Sequence, residues 1–551
     1  MMEIDVFDLQ DNWYNGVNAH IAVANSYYFA MNMYLEDGKL RTGWGVEKIK
    51  DLSISGRFQG AFVYLFNKKK YLFIGAGGVL YSCEYPYIEN KIEICKFNSR
   101  ADKIYFCQVN EFLIVQDGVN KPIVLLGNTI VPDHNLPRGT IMEFIHSRLF
   151  IKTGKYEFQA SDIYLPYDPY NFLKFTENQY LAGGGALGIP SYMGEITAMK
   201  AVPTIETGDG NGYLAVFTRK GICGFNVAAS RLSWNTIDIS KVLIQNISTR
   251  ASDGVLPFNT DVVFLTDSGI SSLGVANQLQ STLLTASDMT TDANSLFYGN
   301  TDWAIEYSSI AKTEDYIFAT VLARKRDVKD LDGFMRSEIY FNGVVEANTH
   351  PDITSKSTIV PESLIKDFDI TTGELRVTIN KLLDGCYFVG RDEYDNLGLF
   401  KLEKTKTPLS ALIELHDISL TKQSTSDYVD YINKRRLLSV QVDVGRVKRI
   451  TEIACYYRPS NTIKWILMDK RKLINQTELF DNNQGSDFED LKFSNSPNLP
   501  ASKLYDLMLI IRGDARINRV AVNGKTIATE NAPSTQLVKR GTVEKNNYAY
   551  T

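Results

Sequence analysis

Few side chains in this sequence stand at a spacing that could do chemistry. Residues 208–212, Gly-Asp-Gly-Asn-Gly, place Asp209 and Asn211 just after Glu206, in the manner of an acidic hairpin loop that holds calcium. A hard cation takes six or more oxygens, so three donors fall short and a flexible turn is the simpler reading. Residues 327–333, Asp-Val-Lys-Asp-Leu-Asp-Gly, begin like an EF-hand loop. With Asp330 in first place, however, Gly333 comes too early and Phe334 takes a ligand position, so a solvated acidic loop is expected. The histidines His20, His134, His146, His350 and His416 show no metal-ligand spacing such as HExxH. Carboxylates such as Glu111 and Asp117 fall in turns, and linear spacing does not tell whether two of them face each other at glycosidase distance.

Other signatures are missing from the sequence. Residues 183–188, Gly-Gly-Gly-Ala-Leu-Gly, do not connect a strand to a helix, and no Gly-Lys-Ser/Thr follows them. There is no Gly-x-Ser-x-Gly elbow, no aspartate-box repeat of sialidases and no tryptophan–aspartate repeat of regulatory propellers. Cys83, Cys95, Cys107, Cys223, Cys386 and Cys455 are scattered without Cys-x-x-Cys spacing, so reduced thiols in strands are expected. The expectation is a protein that is not an enzyme, with no catalytic residue, no cofactor site and no metal site.

The elements that would position any site form a repeat. Residues 71–83, YLFIGAGGVLYSC, read as apolar strand, glycine turn, apolar strand. Similar hairpins follow at 111–126 (turn at Asp117-Gly118), 146–161 (near Gly154), 212–226 (Gly221), 260–276 (Gly269) and, more loosely, 384–402 (Asp395-Asn396). Residues 313–324 with 338–344 are the best candidate for a further, degenerate copy. A hairpin returning at roughly 40–50 residues marks a β-propeller, one four-stranded blade per repeat. The predicted fold is therefore all-β: an irregular six-bladed propeller over 1–410, a small β-domain over 411–530 and an extended or disordered tail over 531–551. Long inter-blade loops are expected at 161–190 and 326–361, and residues 437–457 read as a hairpin turning at Gly445.

Composition is consistent with this. At 551 residues, with 44% hydrophobic and 22% charged side chains, the chain is long enough for a large repeat domain plus an appendage. An aromatic share of 11% suits pleated surfaces. A net charge of −5 argues against a dedicated nucleic-acid binder, and the basic runs at 68–70 and 434–436 read as solvated. No apolar run reaches the roughly 18–20 residues of a membrane helix, and the first residues carry no secretory signal pattern.

The order of short motifs over residues 15–275 resembles the tail nozzle proteins of short-tailed bacteriophages, also called tail tubular protein B. The likeness starts at Asn18, then runs through Asp37-Gly38-Lys39-Leu40-Arg41 with Gly43, and through residues 112–122 (FLIVQDGVNKP). It continues in His146-Ser147-Arg148-Leu149-Phe150, Ala160-Ser161-Asp162 and Pro169-x-Asn171-Phe172, then at 214–221 and 263–273. His146 stands where the family usually has glycine, and the C-terminal region carries no matching motif. The resemblance implies a structural virion protein, made in the host cytoplasm. It would be a homo-oligomer, a hexameric ring, continuing the DNA-ejection channel below portal and adaptor and contacting other tail proteins. Double-stranded DNA would pass without specific binding. The alternative is a glycan-binding or glycan-cleaving receptor-binding propeller, motivated by Tyr164, Tyr167, Tyr170 and Phe172.

Overall fold

A computed structural model describes residues 2–8, 29–36, 39–177, 186–202, 213–227, 231, 234, 240–258, 261–267, 269–274, 305–313, 316–329, 333–348, 356–359, 377–408, 410–419, 435–445, 451–460, 462–473, 488–494, 502 and 504–526. The chain divides into two compact units. One comprises Val46–Asp352 and Val360–Leu402; the other comprises Met1–Gly45, Ile353–Ile359 and Glu403–Thr551.

The larger unit is a β-propeller built from local hairpins. In its first blade, strands Phe58–Phe66, Lys69–Ala76, Val79–Glu84 and Glu89–Lys96 pair in sequence order, all antiparallel. Two tight turns need left-handed backbone, supplied by Asn67-Lys68 (φ 49° and 63°) and Gly77-Gly78 (φ 57° and 82°). A side chain at Gly78 would also strike Ser99, at 2.8 Å. The basic run Lys68, Lys69 and Lys70 is exposed at the first of these turns, as a solvated reading requires.

Three further four-stranded blades follow, starting at Tyr105–Val109, Met142–Ile145 and Ile196–Val202. The fifth blade has three strands among the described residues, beginning at Val255–Phe258. The sixth is Ile310–Lys312 with the long hairpin Tyr316–Lys329 and Met335–Asn348. In the seventh, Thr378–Leu382, Tyr387–Arg391 and Leu397–Glu403 are completed by Gly45–Asp51 from the start of the chain. From Phe58–Phe66 through to Ile310–Lys312 each first strand touches the next, and Thr378–Leu382 touches Phe58–Phe66 to complete the circle.

Each sheet is packed between two neighbours, which explains runs such as Phe112–Gln116 that are buried on both faces. Apolar clusters fill the spaces between blades. Tyr64, Phe73 and Leu80 meet Leu113, Val115 and Leu125 between the first and second. Leu72 and Ile74 meet Val389, Leu397 and Leu399 between the first and last.

The seam between last and first blades is also polar. Glu338 and Arg391 are almost fully buried, at 1% and 5% exposure, and pair through Nη2 and Oε2 at 3.0 Å. Glu338 Oε1 also accepts from Asn380 Nδ2 at 3.0 Å and from the Phe58 amide at 3.3 Å. Arg391 donates to the Gly56 carbonyl at 2.8 Å. One ion pair thus ties together the sixth, seventh and first blades. Burial pushes the Glu338 carboxyl up, and Arg391 opposes that push.

The structure differs from the sequence expectations in several places. Among the described residues it has seven blades where six were expected: the degenerate copy expected at 313–324 with 338–344 is a blade of its own, and its strands run on into the segment expected as the 326–361 loop. Its register pairs Arg326 with Glu338 and Val328 with Arg336, so the backbone ladder forms in spite of the polar sequence. The 161–190 segment contains a 3-10 turn at Asn171–Leu173 and closes with strand Ala186–Gly188, paired to Glu157–Ala160. The propeller does not extend over 1–410. Lys39–Thr42 pairs with Arg516–Thr526, and Phe29–Met31 pairs with Ala411–Ser419, which draws the N-terminal strands into the second unit. Nor is 437–457 a hairpin. Arg435–Gly445 pairs with Phe488–Ser494 and Arg516–Thr526, whereas Thr451–Pro459 pairs with Ile466–Leu473 and Leu504–Arg512. Alternation identifies a strand without identifying its partner. The 531–551 tail lies outside the described residues.

Removing one member of a buried ion pair leaves the other uncompensated and typically costs about 3–5 kcal/mol. Arg391→Ala is therefore expected to destabilise the propeller by about that amount, measured by equilibrium urea unfolding of the full chain. Glu338→Gln keeps an acceptor for the Phe58 amide but takes the buried carboxylate away from the Arg391 charge, so a loss of similar size is expected.

Candidate functional site

The first strands surround a central cavity of about 300 Å³. Charged side chains enter it from successive blades: Lys103 just before the second, Glu143 in the third, Lys200 in the fourth, Asp253 just before the fifth and Lys381 in the seventh. Glu143 and Lys381 fall within largely apolar segments, Ile-Met-Glu-Phe-Ile (141–145) and Ile-Asn-Lys-Leu-Leu (379–383), whereas Lys103 and Asp253 stand in polar stretches that precede their strands. One such residue per blade is a signal in the sequence, but along a single strand it reads as ordinary outward-facing polarity.

These groups form two sets. Lys200 Nζ lies 3.0 Å from Glu143 Oε2, and Glu143 Oε1 accepts the Ala201 amide at 3.1 Å. Burial alone would lower the Lys200 pKa, but Glu143 raises it above the ordinary lysine value. In the second set both Lys103 and Lys381 contact Asp253, the latter at 2.9 Å, and Lys103 also donates to Ser252 Oγ at 2.6 Å. Burial would raise the Asp253 carboxyl; the two ammonium groups instead hold it well below the usual carboxylate range. Burial, with Lys381 nearby, draws Lys103 below its ordinary value. Tyr105, on the same wall, is pushed up by burial.

The distal half of the long sixth-blade hairpin lies at one end of this cavity. Ser337 and Ile339 line a small recess together with Phe58, Asp102, Lys103, Asp253 and Tyr307. Arg57 donates to the Ser337 carbonyl at 3.3 Å, and the Arg100 guanidinium lies 4.2 Å from the centre of the Phe334 ring near the hairpin tip. The hairpin is therefore fastened to the first blade and to the segment that follows it.

The residues singled out from sequence do not converge here. Asp117 accepts the amides of Asn98, Val119 and Asn120, so it clasps a turn and is held low by those bonds against the upward push of burial. His146 sits in a tight turn with φ 50°. His416 Nε2 lies 2.6 Å from Glu414 Oε1 in the other unit. His20, His350, the 208–212 loop, Asp330 and Asp332, and residues 183–185 lie outside the described residues. Among the described residues no cluster of three or more His, Cys, Asp or Glu side chains could hold a metal. Burial pushes the Cys83 thiol up to about 12 and the Cys95 thiol up to about 11, which leaves little reactive thiolate. No helix among the described residues is long and apolar enough to cross a membrane.

The aromatic loop of the third blade has two characters. Tyr167 and Tyr192 are 84% and 60% exposed. Phe172 is fully buried, with its ring centre 5.3 Å from that of Phe112. Behind it, Arg148 Nη1 and Arg231 Nη1 both donate to the Ser161 carbonyl, at 2.9 and 3.0 Å. Ser161 Oγ accepts the Leu149 amide at 2.9 Å, Asp162 accepts the amides of Thr176 and Glu177, and Asn171 Nδ2 donates to the Ile163 carbonyl at 2.8 Å.

No family model matches the chain. No curated protein matches it either. Among solved structures it is similar to the β-propeller domain of Cps50 (Swd1) from Myceliophteria thermophila, with 11% identity and a TM-score of 0.35. The match covers 66% of this chain and 100% of that one. The fold rests on the sheets and on the closure described above.

The Asp253 carboxyl is an ordinary carboxylate of pKa about 3.9 in the unfolded chain and is depressed in the folded one. Its contribution to stability is therefore complete above that value and is lost as pH falls through the folded one. Asp253→Asn is expected to cost roughly 2–3 kcal/mol at neutral pH. The gap from the parent protein should narrow below about pH 4, read from denaturant unfolding over a pH series.

Proposed function

We propose that this chain is a structural protein of a short-tailed bacteriophage tail, a nozzle subunit. Six copies would form a ring that continues the DNA-ejection channel below portal and adaptor. The observation that carries this reading is the behaviour of the motif residues that resemble the tail nozzle family. Arg148, Leu149, Ser161, Asp162, Asn171 and Phe172 are spread over 25 positions of sequence. In the fold they form one clasp: Arg148 and Leu149 both bond Ser161, Asp162 and Asn171 fix the following turn, and that turn seats Phe172 in the core. Residues that must act together to close a blade are the ones a shared architecture would keep in order and spacing.

The narrow centre of the propeller agrees with this role. A cavity of about 300 Å³ is the size of a small-molecule site. It is far too small for duplex DNA, so in the proposed ring the conduit runs between copies rather than through a propeller. A rigid block with few free sheet edges suits such packing. The net charge of −5 suits passage of DNA without retention, since each phosphate contact adds affinity.

The exposed rings of Tyr167 and Tyr192 favour a second reading, in which the third blade stacks on sugars at the periphery of a tail. The two readings separate experimentally. Gold-labelled antibody to this chain is expected at the distal tail tube, and mass photometry is expected to give a particle six times the 62.1 kDa chain. Label on peripheral appendages, with glycan-array binding that Tyr167→Ala abolishes, would replace the nozzle with the sugar-binding reading.

A further inference from the structure

We propose that the centre of the propeller binds a compact oxyanion, bearing a phosphate or a carboxylate group, between the ammonium groups of Lys103 and Lys381. This site is independent of any role in a tail. It rests on the shape of the cavity and on its count of charges.

At about 300 Å³ the cavity is at the lower limit for ligand sites, so an occupant must be small. Apolar wall comes from Phe62, Phe106, Ile141, Met142 and Val255, and uncharged polar groups from Tyr105, Ser252 and Ser309. Among the described residues, seven charged side chains line it: five in its interior, Lys103, Lys200 and Lys381 against Glu143 and Asp253, and two at its rim, Lys312 and Asp384. Lys200 and Glu143 satisfy each other at 3.0 Å. Lys103 and Lys381 share the single carboxylate of Asp253. Among the described residues the interior set therefore carries one positive charge in excess.

Neighbouring carboxylates do not supply the balance, because each has its own cation. Asp102 lies 3.2 Å from Arg57, and Glu306 lies 2.9 Å from Arg219. At the rim Asp384 is 3.3 Å from Lys70, while Lys312 donates to the Pro257 carbonyl at 3.0 Å and adds a further positive charge. An unpaired buried charge is costly, and the cost shows in the lowered affinity of Lys103 for its proton. An oxyanion beside Lys103 and Lys381 would restore neutrality and accept the N–H donors that Asp253 and Ser252 leave unused. It would enter from the end marked by Lys312 and Asp384, opposite the recess occupied by Ser337 and Ile339.

The test is calorimetric titration of the full-length protein with inorganic phosphate and, separately, with malonate, in chloride buffer of matched ionic strength. Saturable one-to-one uptake of either is expected, and the stronger of the two identifies which group the site prefers. Lys381→Met leaves a neutral Lys103–Asp253 pair and is expected to weaken binding by roughly tenfold or more. Lys103→Met should act alike and serves if the first variant does not fold. Asp253→Asn keeps both lysines and is expected to bind more tightly. No saturable uptake of either anion by the parent protein, or unchanged affinity in the lysine variant, overturns the proposal.

Discussion

A circle of sheets is only as stable as the place where its two ends meet. Among the described residues, six of the seven junctions join blades that follow one another in the chain. The seventh must be made between strands far apart in sequence, and it is made three times over. Gly45–Asp51 completes the last blade beside Leu397–Glu403. Leu72 and Ile74 pack on Val389, Leu397 and Leu399. Glu338 and Arg391 lock the sixth, seventh and first blades through one hydrogen-bonded ion pair. Apolar packing supplies affinity without direction; the ion pair, with fixed donors and acceptors, supplies register. The side chains around the axis depend on that register, because Lys381 reaches Asp253 only when the last blade stands where the circle requires it.

The axis shows a different balance. Charged groups inside a protein are tolerated when paired and hydrogen-bonded. Glu143 and Lys200 meet that condition, whereas the two lysines around Asp253 exceed it by one charge. The hairpin fastened by Arg57 and Arg100 adds a wall at one end. Together they make the centre a positively biased chamber, walled at that end, within an acidic protein.

Much of this was legible in the sequence where local physics decides. Gly77-Gly78 can only be a tight turn between two apolar runs, and Asp117-Gly118 likewise marks the hairpin of the second blade. Cys107 and Cys223 lie buried in strands, as their apolar surroundings in the sequence suggest. Long-range pairing left no such mark. Nothing in Gly-Val-Glu-Lys-Ile-Lys-Asp (45–51) says that its neighbour lies beyond residue 390, and the apolar alternation at 437–457 does not reveal that its two strands belong to different sheets. Polar sequence misled at Arg326, where the ladder with Met335–Asn348 persists through charged pairs. The axial charges failed for a related reason. Glu143, Lys200 and Lys381 are unremarkable one at a time, and only the circular arrangement makes them neighbours.

The strand Gly45–Asp51 also sets a schedule for biosynthesis. Its partner Leu397–Glu403 leaves the ribosome about 350 residues after it, a delay of roughly 20–70 s at 5–20 residues per second. Through that interval the first blades can form, while the strand that seals the circle has no edge of its own to pair with. Two nascent chains on one message would each present a waiting strand and, somewhat later, a vacant edge. Exchange of those strands between copies would give a swapped dimer held by the same contacts as the correct monomer, so translation rate and local concentration govern which product accumulates.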